Sequence, residues 1–194
     1  MDCIFKAREH VDNAWLIAEK LGVLATDKNK FISSMLYTSM NHCDAIQVLV
    51  QQQNLASSSA LLRPLFENTF RAVWLRNCAS EEQSLKVMNS KDGWPSPWND
   101  IQLIEAQSDN PKLLSKLWEI MRENMHDFTH GGRELAHRQI GGNIITSNIS
   151  YSEVFELMKI VVLFSSYVLS QLIELSEDKD AILLLEDLLD NQPF

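Results

Sequence analysis

Ser150-Tyr-Ser-Glu153-Val-Phe-Glu156-Leu-Met-Lys159-Ile160-Val-Val-Leu-Phe-Ser165-Ser-Tyr-Val-Leu169 is the stretch that decides the fold. Ser150 and Glu153 form the S-x-x-E box in which each side chain satisfies a backbone N–H at a helix start. The run from Ile160 to Leu169 is apolar apart from the pair at Ser165–Ser166. Such a run is too short to cross a bilayer, and Glu156 and Lys159 stand just before it. It therefore predicts a central buried helix, spanning about 151–176, rather than a membrane segment.

Upstream, helical spacing recurs. Phe5, Val11, Ala14, Trp15, Ala18 and Leu21 predict a first helix over 2–21, with Gly22 as its stop. A second covers about 27–53, with Phe31, Met35, Ile46 and Val50 among its apolar positions. A third covers about 57–77, and Pro64 inside it requires either a start near Leu62 or a kink. Residues 80–89 predict a short helix, and 92–98 (Asp-Gly-Trp-Pro-Ser-Pro-Trp) an irregular loop. Ser96-Pro97 and Asn110-Pro111 read as starts of helices over 97–108 and 111–129. The glycine pairs at 131–132 and 141–142 bracket a short helix or ordered loop. Residues 144–146 can be extended, but no convincing strand pair is visible. The expected fold is all-α: one helical bundle of about seven to eight helices over 1–194, with 179–194 an acidic C-terminal helix and tail.

Composition narrows the function classes. The net charge of −9 argues against coating nucleic acid through bulk electrostatics. That charge is concentrated, since residues 174–190 hold seven acids against Lys179 alone, a net of −6. A local basic pocket elsewhere is compatible with the total. Cys3, Cys43 and Cys78 are far apart and lack metal-type spacing, which suits reduced thiols. The first ten residues carry charges where a signal peptide needs its apolar region. A soluble cytoplasmic chain, not associated with membranes, is expected.

Candidate chemistry concentrates in 122–138, Arg-Glu-Asn-Met-His-Asp-Phe-Thr-His-Gly-Gly-Arg-Glu-Leu-Ala-His-Arg. Arg122, His126 and His130 are spaced four apart, one polar line on a helix beside the stripe Leu114, Leu117, Met121, Met125 and Phe128. Imidazoles move protons near pH 7, and arginines hold phosphates and stabilise developing charge. His126 or His130 is the candidate acid–base group and Arg122 or Arg133 the phosphate binder. Asp127, His137 and Arg138 are further binding candidates. Arg63, Glu67 and Arg71 form a second line of fours on the largely apolar third helix, so they are expected to be partly buried and to need partners. Glu67 would then orient a histidine while Arg63 or Arg71 faces an anion. The alternative is a structural arginine–glutamate ladder and a histidine cluster that only locks helices together. His126-x-x-x-His130 has metal-helix spacing, but the glutamate of H-E-x-x-H is Asp127 and no clear third ligand follows, so no metal or other cofactor is expected.

Leu61-Leu-Arg-Pro-Leu-Phe-Glu-Asn-Thr-Phe-Arg-Ala-Val-Trp-Leu75, with Met125-His-Asp-Phe-Thr-His-Gly-Gly132, resembles a family of uncharacterised bacterial helical proteins over about 30–170. That resemblance implies no settled activity. The architecture is more distantly similar to the HEPN-like bundles, ribonucleases of toxin–antitoxin and phage-defence systems and their inert relatives. Such a resemblance implies an up-and-down core, dimerisation, and an arginine separated from a histidine by four to six residues. Here three residues separate Arg122 from His126, seven separate it from His130, and three separate Arg133 from His137. The likeness therefore extends to the fold and not to the ribonuclease motif. Two functions remain open. One is a phosphate-directed, RNA-cleaving effector; the other is a non-catalytic binding or assembly bundle. A homodimer, favoured by five tryptophans and the Trp94–Trp98 loop, and a partner protein are expected associations.

Overall fold

The computed structural model describes residues 2–90, 93–107 and 112–194. Their helices are α1 (Asp2–Ala18), α2 (Asp27–Gln51), α3 (Leu55–Ala60), α4 (Leu62–Asn77), α5 (Glu81–Asn89), α6 (Pro97–Glu105), α7 (Leu113–His130), α8 (Arg133–His137), α9 (Tyr151–Ser176) and α10 (Lys179–Asp190). The fold is all-α, as its periodicity indicates. Its single departure among the described residues is a short antiparallel pair, β1 (Ile140–Gly141) with β2 (Ile144–Ile145), in which Ile140 faces Ile145. The expectation of no strand pair was wrong here, because Gly142 at φ 67° supplies a tight turn between the two segments.

α9 starts at the capping box read from the sequence. Ser150 Oγ accepts from the Glu153 N–H, and the Glu153 carboxylate accepts from the Ser150 N–H at 2.8 Å. The helix then runs through the centre, packed by α1, α2 and α10. By length and composition it could cross a membrane, but 67% of its most apolar window is buried inside the protein, as in a core helix. Burial, rather than shortness, identifies it as the core.

Small side chains bring α1 onto α9. Cys3, Ala7, Val11, Ala14 and Ala18 form its buried face, at spacings of three and four. Phe5, expected in the core, is 66% exposed, because the alanine face outcompetes it for the contact. α4 packs on α2, α6 and α7. Phe66 and Phe70 of α4 meet Phe164 of α9 with ring centroids 4.2 and 6.0 Å apart. These fully buried rings contribute on the order of 1.5–3 kcal/mol each by removal from water.

The predicted third helix is two. α3 and α4 are separated at Leu61, and Pro64 falls in the first turn of α4, where its missing N–H costs nothing. Ser96 caps α6 as expected, accepting from Asn99 N–H at 3.3 Å. The Asn110-Pro111 helix start and the Asp92 end of the predicted loop lie outside the described residues. All five tryptophans pack against the chain's own core: Trp74 and Trp118 are buried, and Trp94 lies 6.4 Å from Phe31 and 6.1 Å from Trp74 between ring centroids. Trp15, Trp94 and Trp98 are partly buried against that core.

Candidate functional site

α4 and α7 cross so that their polar lines meet. Arg63 of α4 donates through Nε to Glu67 Oε1 at 2.7 Å and through Nη1 to His126 Nδ1 of α7 at 2.5 Å. The expected link between helices exists, but Arg63 makes it and not Glu67. One turn further along α4, the Glu67 carboxylate sits between Arg63 and Arg71, whose Nη2 is 3.7 Å away, and reaches no histidine directly.

The Arg63 contact has a chemical consequence. A guanidinium only donates, so His126 Nδ1 accepts and the ring proton sits on Nε2. In this state His126 offers a hydrogen-bond donor to its surroundings, while the Nδ1 lone pair is occupied. The His130 ring lies 4.7 Å from that of His126 between centroids, and its side chain is exposed. Beside His126 is an open cleft of about 500 Å³, lined by Arg63, Trp118, Arg122, His126, Asp127 and Glu134 among others. Arg122 is 59% exposed, and among the described residues its one ion pair is a loose 3.9 Å approach to Glu123.

The rest of the histidine segment carries helix-end contacts as well as cleft-lining residues. Gly131 at φ 71° ends α7 in the left-handed conformation, and Gly132 N–H reaches back to Asp127 O at 2.8 Å. A Cβ on Gly132 would stand 2.5 Å from Asp127 Cγ. That closeness lets the Asp127 carboxylate accept the Glu134 N–H at 3.0 Å and cap α8. Asp127, expected as a binding residue, is therefore a helix cap. Arg138, likewise expected to bind, is held by Glu134 at 2.8 Å and by Glu153 at the α9 cap, so its charge is already matched. Arg133 donates to His137 Nε2 at 3.2 Å, and both line a second open cleft with Ile140 and Asn148. This pair does not join His126 and His130.

Arg71 also belongs elsewhere. Its guanidinium carbon lies 5.5 Å from the Trp94 ring centroid, its Nε is buried without a hydrogen-bond partner, and its charge acts on Asp100. Asp100 is the residue that sequence reasoning missed. It is fully buried on α6, and neither carboxylate oxygen has a hydrogen-bond partner. Burial pushes its pKa up to about 7, against the pull of Arg71 and with a further push from Glu67. The available signal was its phase, since Asp100, Ile101 and Ile104 share one face of a short amphipathic helix.

Thiol chemistry finds no support: Cys3 and Cys43 are buried, and burial drives both Cys43 and Cys78 above the ordinary thiol range. Among the described residues, no three His, Cys, Asp or Glu side chains converge as metal ligands.

A family model of unknown function, DUF6988, matches residues 36–186. The chain belongs to the DUF6988 family. All ten candidate residues and both quoted motif segments fall inside the matched region, whereas α1 lies outside it. No curated protein and no solved structure matches the chain.

Proposed function

We propose that this member of the family is a phosphate-directed effector that cleaves RNA without a metal, in a bacterial toxin or phage-defence setting and on an HEPN-like up-and-down core. The observation that supports it is the Arg63–His126 hydrogen bond beside the open cleft. It turns His126 into an Nε2–H donor next to Arg122, two groups suited to a phosphate. Of the three carboxylates at the same cleft, Asp127 and Glu134 are engaged by the α8 cap and by Arg138, while Glu123 is exposed and only loosely paired with Arg122 at 3.9 Å. His130 keeps the acid–base role.

In this scheme His130 takes the proton of an RNA 2′-hydroxyl, whose oxygen attacks the adjacent phosphorus. The P–O bond to the 5′-oxygen breaks, the leaving oxygen recovers the proton, and a 2′,3′-cyclic phosphate and a 5′-hydroxyl end result. Arg63, Arg122 and His126 stabilise the added negative charge on the phosphoryl oxygens.

The test is incubation of single-stranded RNA with the protein in chelator. Cleavage is expected, with His130→Ala losing about 10²–10⁴-fold in rate, the usual worth of an acid–base group. The non-catalytic binding or assembly bundle is the second reading, favoured by the cross-links through Arg63, Asp127 and Arg138. Wild-type protein that neither cleaves nor binds RNA would overturn the first and leave the second.

A further inference from the structure

A groove of about 690 Å³ lies away from the histidine cluster, between α1 and α10. Its α1 wall is Glu9, His10, Asn13, Leu16 and Ile17, one helix face. Its α10 wall is Leu184, Asp187 and Leu188, again one face, continued past the helix end by Asn191, Gln192 and Pro193. Two neighbouring helices thus leave a trough that a third helix would fill by the packing that builds the rest of the bundle. From Lys6 to Ile17 the α1 wall runs about 16 Å at ~1.5 Å per residue, room for three helical turns.

The trough is apolar at its sides and negative at its rim. Leu16 is 56% exposed, Leu184 is 47% exposed, and Leu183 beside it is 65% exposed. Glu9 and Asp187 contribute carboxylates to the rim, whereas Lys6 is spent on Asp2 at 2.9 Å. Beyond them lies the −6 of residues 174–190, a field that draws cations toward this side. At the floor His10 is 4% exposed, its Nε2 2.8 Å from Ser166 Oγ. Gln192 donates to the same Oγ at 3.5 Å.

We infer that this groove is a docking surface for a basic amphipathic helix of a partner protein, with leucine-like residues between Leu16 and Leu184 and lysine or arginine heads on Glu9 and Asp187. The charge decides the occupant, because an anionic surface or a nucleic acid would meet like charge here, and a second copy would bring the same acidic rim.

The experiment uses two designed helical peptides, one of leucine and lysine and one of leucine and glutamate in the same pattern, titrated into isotope-labelled full chain. Saturable binding of the basic peptide is expected, with amide shifts confined to α1 and α10. The double variant Glu9→Lys/Asp187→Lys should weaken it about tenfold or more, since like charges now face each other, while its thermal melt stays cooperative. Should that variant unfold, Leu184→Ala gives the same readout with the charges intact. Equal binding of both peptides, shifts elsewhere, or no binding would overturn the inference. So would a concentration-dependent dimer that Leu184→Ala dissolves, which would make a second copy the occupant.

Discussion

Replacing Asp100 by asparagine should stabilise this protein progressively as pH rises. The carboxyl is fully buried with both oxygens unpaired, and its pKa moves from 3.8 to about 7. A raised carboxyl pKa means that the folded chain holds a proton the unfolded chain has released. Stability therefore falls with rising pH between about 4 and 7 and is level above that. At about 1.4 kcal/mol for each tenfold change in proton affinity, the full penalty approaches ~4 kcal/mol at neutral pH. The amide of the variant does not titrate, so urea unfolding of wild type and Asp100→Asn at pH 5, 6, 7 and 8 should diverge by about 1.4 kcal/mol per pH step up to 7 and then run parallel. That amide has its own burial cost, but it is the same at every pH and drops out of the slope. Parallel stabilities from pH 5 to 7 would refute the reasoning, because Asp100 would then be ionised in the folded state and stabilised by Arg71.

Four further outcomes follow from the same geometry. Burial lowers the His10 pKa, so stability should fall as pH drops below about 6.5, where the unfolded ring protonates and the folded one does not; His10→Gln should flatten that limb in the same urea series. His126→Ala leaves Arg63 on Glu67 and should cost less than about 1 kcal/mol in a thermal melt, since an exposed contact is lost and no buried charge is stranded. Arg63→Met removes the Glu67 and His126 hydrogen bonds together and should cost about 1.5–3 kcal/mol, read by urea unfolding. Asp127→Ala removes the α8 cap and should cost about 0.5–2 kcal/mol, with faster amide exchange over 133–138.

Much of the architecture could be read from capping and period. Ser150 with Glu153, and Pro64 in the first turn of α4, are local chemistry that burial does not alter. Phe5 failed because two faces of α1 carried apolar residues, and only the close approach to α9 selects the alanine one. The site was legible as two polar lines but not in its connections. Helical spacing gives the phase of Arg63 and Glu67, whereas the crossing of α4 over α7 decides which of them reaches His126. The capping role of Asp127 was hidden for a related reason: its partner is the backbone of α8, which begins only after the Gly131–Gly132 turn.

The pairing of α1 with α9 has a further meaning for how the chain is made. His10 finds its buried partner at Ser166, 156 residues later. During synthesis α1 thus emerges well before α9, and its alanine face awaits a surface not yet translated. Contacts of such sequence separation slow folding, because loop closure must precede their reward. Residues 27–130 can assemble first around the α2–α4 contacts. In that order α1 can already meet α2 through Arg8–Asp44 and Tyr37–Ala18, while its alanine face stays open to chaperones until α9 is complete.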